Sequence, residues 1–527
     1  MRENNMKTYL IKLKELIIKH KWFILLFLLA AIIRFLYIND NMVPFLFDHG
    51  KDSLAVLHMI AVPKLKYIGP WTSIPGLYFG PAWYYLLAPF YLLSGFNPAS
   101  SGIAMTVLVL LQIYLVYKYF NIQSAVTMAF SGFWVMISVS AWNPYPMTLL
   151  TILILILLKK QLKLKRIDSK LFSLLALTAS FGFHFSSAFA IFYPLIIATI
   201  LFSNKLFPKL KQIIFAALAF GVPFIPQILF ELKNGFPQFN AVINYIKVGG
   251  EGDGLSLDKI KLVVSTIFGE NRNIIFQGIP DISSSPLSII FLLFIIVGIY
   301  YLIRTKKKDE EFSRLLKISF IFFLIPLLGF FFLHFNLWYI YPLIPVTTIL
   351  IGTLISKAPK SITILFTSLY VVMSLLRLNY YLVDEKPRFI NDSGFYPVKR
   401  TVIDYIRADA GDRDFSVFTY KPDIYDFPYQ YEFLAQGLRG ETLPMEFAYE
   451  PGAPSYVKEK KDLLDAIDHK YGQRWRGKPQ VIYYIVTENK QTDLLGNWWG
   501  RQKYDEIISQ KAFGDRLVVY TATPLKD

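Results

Sequence analysis

Long apolar runs recur along the chain and alternate with short polar segments. Runs that approach or reach the roughly 20 residues that a helix needs to cross a bilayer core lie at 22–38, 103–117, 210–230, 286–302, 318–333 and 361–376. The first run contains Arg34 near its end and lacks a small-residue cleavage site, so we expect it to remain as a helix. This pattern predicts a polytopic α-helical membrane protein.

Basic clusters between the apolar runs predict the orientation of the chain. Residues 1–21 form a basic amphipathic lead that we expect on the cytoplasmic surface, so the first helix runs outward. By the same rule, the clusters expected on the cytoplasmic side lie at 159–166, 205–211, 304–308 and 357–360. If all these clusters lie on the cytoplasmic side, the chain must cross the membrane an even number of times between any two of them.

The segment at 78–94 is the apolar run before Lys159 that we do not expect to cross. The N-terminus and Lys159 are both expected on the cytoplasmic side, so the number of crossings between them must be even. Five apolar segments lie in this interval, at 22–38, 78–94, 101–118, 122–141 and 146–158, so one of them is expected not to cross. Pro81 and Pro89 interrupt 78–94, and each removes a backbone hydrogen bond that lipid cannot replace. We therefore predict a broken, half-inserted element on the outer side, within one external loop at 39–100.

The later apolar runs alternate in direction and bring the predicted total to about eleven transmembrane helices. They lie at 171–184, 187–203, 210–231, 286–304, 314–333, 338–356 and 361–381. The C-terminal end is then expected outside. The predicted domains are the lead at 1–21, a transmembrane domain at 22–382 and an extracytoplasmic domain at 383–527.

The composition of the last domain differs from that of the membrane region. Short β-branched and aromatic runs at 415–420, 481–487 and 517–521 predict strands, and the charged stretch at 457–471 predicts a helix. The pattern indicates a small soluble α/β domain. Its aromatic residues, including Trp498 and Trp499, suit stacking on sugar rings, but the interpretation that we favour is an ordinary core.

Composition excludes several classes of function. Of the 527 residues, 54% are hydrophobic, which argues against an ordinary soluble enzyme. The net charge of +17 lies largely in short loops, where it indicates topology and not nucleic-acid binding. The chain has no cysteine, which excludes disulfides, thiolate nucleophiles and cysteine-ligated metals. It contains no Walker A loop, no HExxH zinc motif and no pattern of a Rossmann-like nucleotide domain. A sugar donor, if one is used, is therefore expected to arrive from the membrane.

Four ionisable residues lie close together at the start of the predicted external loop. They are Asp48, His49, Lys51 and Asp52. Such groups are costly at a membrane boundary and indicate function unless they are simply solvated, an alternative that the pattern leaves open. If a surface helix begins at Lys51, Asp48 lies just before its N-terminus, where the helix dipole favours an anion. An ionised carboxylate there has the chemistry of a general base.

Other polar and aromatic residues fall on the same predicted outer side. They are Trp142, Asn143, His184, Ser186, Ser187, Glu231, Lys233, Asn234, His334, Asn336, Trp338, Tyr339 and Tyr341. This asymmetry predicts an extracytoplasmic site between the membrane and the soluble domain. Blander interpretations stay open: the histidines can bond backbone carbonyls at helix ends, the aromatic residues can be interfacial anchors, and the lysines can bind lipid phosphates nonspecifically.

The order of these motifs resembles that of the lipid-dependent GT-C glycosyltransferases. The first helix ends in an external loop with a carboxylate, and PGLYFGPAWYYLLAP, WNPYP, a helix-end histidine and a soluble α/β tail follow. The nearest branch is the protein O-mannosyltransferase and aminoarabinose-transferase type. The resemblance implies inverting sugar transfer from a polyprenyl-phosphate-linked donor to a glycan, lipid or protein acceptor. It places the reaction at the outer face of a cytoplasmic (inner) membrane, without nucleic acid.

The resemblance also implies roles for particular residues. Asp48 matches the catalytic carboxylate of the first external loop, but the familiar adjacent Asp-Glu pair is replaced here by Asp48-His49, with Asp52 four residues after Asp48. This departure leaves open which aspartate is the base, and whether both act together or hold a divalent cation such as Mg²⁺ or Mn²⁺. The residues expected to face the donor phosphate or line the site are Lys51, Lys233, His49, His184, His334, Tyr339 and Tyr341.

Two other functions compete with sugar transfer. A transporter or flippase also uses many helices and intramembrane charge, but its site usually lies near the bilayer midplane between repeated halves. A polymerase or ligase of lipid-linked surface polysaccharide shares the donor chemistry and the location. An external loop rich in arginine favours that class, whereas the loop at 39–100 carries aspartate and lysine.

Overall fold

The chain is largely helical. The structure, a computed structural model, describes residues 2–247, 254–276, 309–421, 425–472, 477–487, 492–514 and 516–525. Helix α1 (Arg2–Ile38) contains both the basic lead and the first apolar run. It is followed by α2 (Phe47–Ala61), α3 (Ala82–Leu93), α4 (Ala99–Tyr119), α5 (Ile122–Phe130), α6 (Gly132–Val139), α7 (Met147–Lys163), α8 (Ser169–Phe181), α9 (Ser187–Ala190) and α10 (Phe192–Ser203).

The largely helical part of the chain continues to residue 380. Its later helices are α11 (Leu210–Gly221), α12 (Ile225–Asn234), α13 (Pro237–Lys247), α14 (Leu257–Phe276), α15 (Glu310–Phe332), α16 (Ile344–Lys357) and α17 (Lys360–Tyr380). Among the described residues, 6 helical segments are long and apolar enough to cross a membrane, or 7 if the bent pair α5 and α6 is one span. The predicted class, a polytopic helical membrane protein, is confirmed.

Several predicted segments differ in detail from the observed helices. The run at 122–141 is two helices that meet at 61°, because the backbone of Ser131 between them is extended. The run at 210–231 is interrupted by a short 3-10 turn, Val222–Phe224. The predicted helix at 286–304 and the basic cluster at 304–308 lie outside the described residues. The count of about eleven crossings stays a prediction.

Helix α3 is the ordered part of the apolar run at 78–94. It has 12 residues, with Pro81 just before it and Pro89 inside it. At the rise of an α-helix it is about 18 Å long, which is shorter than the roughly 30 Å hydrocarbon core of a bilayer. Whether the element crosses stays a prediction, because α8, which is predicted to cross, has only 13 residues.

The C-terminal part of the chain contains a five-stranded mixed sheet in the order β2-β1-β3-β5-β4. The strands are β1 (Phe415–Tyr420), β2 (Phe447–Ala448), β3 (Val481–Thr487), β4 (Ile507–Ala512) and β5 (Leu517–Ala522). Strand β1 pairs in parallel with β2 and β3, whereas β5 is antiparallel to β3 and β4. The helices are α18 (Lys386–Phe389), α19 (Tyr396–Ala410), α20 (Phe427–Leu438), α21 (Lys460–Tyr471) and α22 (Thr492–Trp499).

This sheet confirms the predicted α/β class, and its two faces have different cores. One face packs on α19, α20 and α21 in a core that continues into the membrane helices. The other face carries a smaller cluster in which Trp498 is fully buried between Tyr420 and Tyr484. The interpretation of Trp498 as core is therefore confirmed, and strands β1 and β3 are buried on both faces as α/β strands require.

The C-terminal domain holds the loop that follows α1. The chain before α2 pairs with the chain before α19, where Phe45 N–H donates to Gly394 O at 2.8 Å. At the other end of α2, His58 Nε2 hydrogen-bonds Asp462 Oδ2 at 3.0 Å. Helix α2 lies between these contacts and packs against α20. Its position therefore depends on the soluble domain as well as on the membrane helices.

Candidate active site

Asp48 lies in the first turn of α2. The helix begins at Phe47, four residues earlier than predicted, so Asp48 is inside the helix terminus and not before it. The Lys51 ammonium donates to Asp48 Oδ1 at 2.8 Å, and the Asp48 side chain is 50% exposed whereas that of Lys51 is 11% exposed. The free N–H groups of this turn favour a negative charge. An accessible carboxylate is thus held beside a largely buried cation.

Two aromatic rings complete the surroundings of Lys51. Its Nζ lies 5.4 Å from the ring centre of Phe47 and 5.0 Å from that of Trp71. Both distances are within the range of cation–π attraction, so the two rings hold the ammonium in place. Trp71 comes from the loop before α3, where it pairs with Tyr78. The loop therefore fixes the position of the cation that faces Asp48.

A cavity of about 390 Å³ opens beside Asp48 and Lys51. Five segments that are distant in sequence supply its other walls: the loop before α3, the turn before α7, the turn after α8 with α9, helix α13, and the connection between α15 and α16. The polar and aromatic residues that line it include Trp71, Thr72, Ser73, Trp142, Asn143, Ser186, Ser187, Tyr245, His334, Asn336, Trp338 and Tyr339. Most of the residues predicted on the outer side are thus brought to one cavity.

One wall of the cavity is built from the connection between α15 and α16. The Asn336 amide donates to His334 Nε2 at 3.1 Å and to the Tyr339 hydroxyl at 3.4 Å. Trp338 packs against Trp142 with 5.2 Å between ring centres. This wall offers flat aromatic faces together with a small number of hydrogen-bonding groups, which is typical of a small-molecule site.

Asp52 occupies a different environment from Asp48. Its side chain is buried, Trp83 Nε1–H donates to its Oδ2 at 2.8 Å, and its Oδ1 has no hydrogen-bond partner among the described residues. Burial raises the pKa of Asp52 to about 7. Asp52 is absent from the lining of the cavity, so the structure does not bring the two predicted carboxylates together there.

His49 and His184 also lie outside the cavity lining. His49 is buried in α2, where its Nδ1 accepts from Leu46 N–H at 3.4 Å, and burial lowers its pKa to about 4. His184 Nδ1 accepts from Ala82 N–H at 3.2 Å, and its Nε2 donates to Pro223 O at 3.0 Å. Both nitrogens of His184 are therefore used to join α3 to the segment between α11 and α12. This placement matches the blander interpretation of that histidine.

Lys233 and Tyr341 are the other predicted residues that do not line the cavity. Lys233 is exposed in the last turn of α12. Tyr341 is buried behind the aromatic wall, where its ring lies 6.4 Å from that of Trp142 and 5.8 Å from that of Tyr145. Of the predicted lining residues, Lys51, His334 and Tyr339 face the cavity with Asp48.

The residues of this site do not fit a protein-bound divalent cation. In the part of the chain that the structure describes, no three His, Asp or Glu side chains converge as metal ligands. Asp48 is paired with Lys51, and Asp52 is bonded to Trp83. No chemical step is therefore assigned to a metal.

Sequence reasoning missed the aromatic residues that position these charges. Trp71 and Phe47 surround Lys51, and Trp83 holds Asp52. All three lie in or beside the external loop at 39–100, but nothing in their spacing indicates which charged group each ring contacts. The concentration of aromatic residues in that loop was the available signal.

A larger cavity, of about 660 Å³, lies at the opposite end of the same helices. Helices α7 and α16 run from the Asp48 cavity to Lys159, Lys163 and Lys357 at their other ends. The lysines are mixed with acidic residues there, and Lys159 pairs with Glu311 at 2.6 Å. Among the described residues, these lysines and the polar cavity thus lie at opposite ends of the same helices, as the sequence predicts. Which end faces the cytoplasm stays a prediction.

We expect Asp52 to make the folded protein less stable as the pH rises from about 4 to about 7. In this interval the Asp52 carboxyl of the unfolded chain, which has the ordinary pKa of about 3.9, has lost its proton. The buried Asp52 carboxyl of the folded chain retains its proton. Raising the pH therefore favours unfolding by up to about 1.4 kcal/mol per pH unit. The midpoint of thermal unfolding, measured in one detergent across this pH range, should fall less steeply with rising pH for Asp52→Asn than for wild type. Equal slopes would contradict the burial of an ionisable Asp52.

No family model and no curated protein matches the chain. Among solved structures, the apo crystal structure of ArnT from Cupriavidus metallidurans matches with a TM-score of 0.59 and 11% sequence identity, and the match covers 95% of this chain and 98% of that chain. The ArnT structure bound to undecaprenyl phosphate matches with a TM-score of 0.57, with the same identity and coverage. This chain has the ArnT fold. The expected architecture, a helical membrane region with a small C-terminal α/β domain, is shared over almost the full length of both chains.

Proposed function

We propose that this protein is an inverting glycosyltransferase that moves a sugar from a polyprenyl-phosphate-linked donor to an acceptor hydroxyl at the outer face of the cytoplasmic membrane. The observation that carries the proposal is the accessible Asp48 carboxylate, paired with Lys51 at an aromatic-lined cavity of a membrane protein. The ArnT fold adds support, because one of the similar ArnT structures is bound to undecaprenyl phosphate.

The proposed reaction is a single displacement at the anomeric carbon. The acceptor hydroxyl oxygen attacks this carbon while the bond from the carbon to the phosphate oxygen breaks, and the bonding electrons leave with the polyprenyl phosphate. Asp48 accepts the hydroxyl proton as the carbon gains oxocarbenium character. Attack opposite to the leaving group inverts the configuration at that carbon.

Lys51 is the cation proposed to stabilise the leaving phosphate. It lines the cavity as a largely buried cation on a long, flexible side chain. A positive charge at the position where negative charge develops lowers the barrier more in a partly buried site than in water. The rings of Trp142 and Trp338 are proposed to contact the apolar faces of the sugar.

We expect the purified protein in nanodiscs to transfer radiolabel from at least one polyprenyl-phosphate sugar to a crude envelope acceptor fraction. The assay uses a panel of donors, with heat-treated protein as the control, and analysis of the product's anomeric configuration tests inversion. A polymerase or ligase of lipid-linked polysaccharide is distinguished by transfer of preassembled glycan chains instead of single sugars. Absence of transfer from every donor, together with substrate uptake by liposomes that contain the protein, would establish a transporter instead.

A further inference from the structure

The soluble domain contains a second cavity, of about 650 Å³, between β2, the loop that follows it and α21. Its lining combines aromatic rings, an amide, three lysines and the carboxylates of Glu446 and Asp465. The lining residues include Gln430, Tyr449, Tyr456, Lys458, Lys460 and Lys461. None of them belongs to the Asp48 cavity.

Lys460 is a largely buried cation at this cavity. Its ammonium donates to Gln430 Oε1 at 3.0 Å and to Phe447 O, and it lies 3.5 Å from the centre of the Phe447 ring. No ion pair among the described residues includes Lys460, and Asp426 and Glu446 act on it only from farther away. Burial lowers the pKa of Lys460 to about 8, so most of it is charged at neutral pH.

The partners of Lys460 are themselves fixed. The Gln430 amide donates to Asp426 Oδ2 at 3.2 Å, and Asp426 N–H donates to the Tyr456 hydroxyl at 3.0 Å. Both hydrogen-bond partners of Lys460 are neutral oxygens, so no carboxylate balances its charge directly. A partly buried positive charge that lacks a counterion favours binding of an anion.

The rim of the cavity adds charge and aromatic surface. Lys458 and Lys461 are exposed there, and the Tyr449 and Tyr456 rings are partly buried. The lining also contains Glu446, whose carboxylate accepts from Gly452 N–H at 2.7 Å, so it is already used in the loop. Flat rings suit the apolar faces of sugars, and flexible lysines bind carboxylates or phosphates as point charges.

An aromatic bridge connects this cavity to the Asp48 site. We define the bridge as Trp71, Phe47, Tyr425 and Tyr456. The exposed Tyr425 ring lies 5.0 Å from that of Tyr456 and 5.7 Å from that of Phe47. The Phe47 ring lies 6.5 Å from that of Trp71. Tyr456 lines the second cavity, whereas Trp71 lines the first and contacts Lys51. Rings thus continue from one cavity to the other.

We propose that the second cavity binds an anionic saccharide segment of the acceptor, with sugar rings against Tyr449 and Tyr456 and the acidic group at Lys460. This inference rests on the proposed glycosyl transfer for the identity of the ligand as an acceptor. The acceptor chain then crosses the aromatic bridge and presents its hydroxyl to Asp48. The acceptor class is therefore an acidic glycan or glycan-bearing molecule.

Binding is tested by calorimetry on the full-length protein in detergent, without any donor. The probes are hexagalacturonate, neutral maltohexaose and inorganic phosphate. We expect hexagalacturonate to bind at least about tenfold more tightly than either of the others, because it alone supplies both rings and charge. Equal binding of maltohexaose or of phosphate, or no binding of hexagalacturonate, would overturn the proposal.

Substitution of lysines locates the site. Lys460→Met is expected to weaken hexagalacturonate binding at least about tenfold, whereas Lys470→Met, an exposed lysine at the end of the same helix, should leave it unchanged. The double variant Lys458→Ala and Lys461→Ala removes only exposed rim charges and should also weaken binding without unfolding the domain. Wild-type affinity in both the Lys460 and the rim variants would refute the site.

The two proposals can fail separately. Hexagalacturonate binding that depends on Lys460, in a protein that transfers no sugar, would contradict the proposed function and leave the binding site established. Sugar transfer that depends on Asp48, with no effect of Lys460→Met on acceptor KM or on binding, would contradict the acceptor site alone.

Discussion

Asp48→Asn is expected to reduce sugar transfer by about 10²–10⁴-fold, the range typical for loss of a general base. The amide has nearly the same shape and its oxygen can still accept from Lys51, so the helix terminus and the cavity should be kept. It cannot take a proton from the acceptor hydroxyl at neutral pH. The measurement is the initial rate of radiolabel transfer in nanodiscs at saturating donor, with thermal unfolding of the same preparation as the check on folding.

Asp52→Asn is the matched control for this prediction. The substitution keeps an oxygen that accepts from Trp83 Nε1–H, and Asp52 does not line the cavity. We expect its transfer rate to stay within a few-fold of wild type. Equal and large losses in both variants would indicate that the two carboxylates act as one unit. Loss in Asp52→Asn alone would make Asp52 the base and refute the role proposed for Asp48.

Gly50→Ala is expected to separate α2 from α20 and to lower both stability and transfer. A methyl group at Gly50 would meet backbone atoms of the soluble domain, Pro428 N and Phe427 C, the latter at 2.7 Å. No side-chain rotation relieves contacts with backbone, so one helix has to move. Overpacking of this kind costs about 1–3 kcal/mol. Because Asp48 and Lys51 belong to the first turns of α2, the same movement displaces the site.

The effect of Gly50→Ala is measured as the midpoint of thermal unfolding, the rate of proteolytic release of the C-terminal domain and the rate of sugar transfer. Gly221→Ala is the control, because Gly221 ends α11 and a methyl group there meets no atom within 4 Å. The control should behave as wild type in all three measurements. Wild-type proteolysis and transfer for Gly50→Ala would contradict the close packing of α2 on α20.

The sequence indicated the charged part of the site better than its aromatic part. Asp48 and Lys51 stand out because charged groups are costly beside a membrane, and each belongs to a short local pattern. Trp71 and Trp83 have the composition of ordinary interfacial residues, so their contacts with Lys51 and Asp52 were not predictable. The same holds for His184, whose partner Pro223 lies 39 residues farther along the chain.

The sequence by itself determined the polytopic helical class, the α/β nature of the C-terminal domain and the collection of polar residues at one end of the membrane helices. These properties follow from the length of apolar runs, the period of side chains and the cost of charge in lipid, which are all local. Only the tertiary structure decided that Asp48 faces the cavity while Asp52 is buried against Trp83. Residues four apart on a helix share a face, so which of them meets solvent depends on segments packed from elsewhere in the chain.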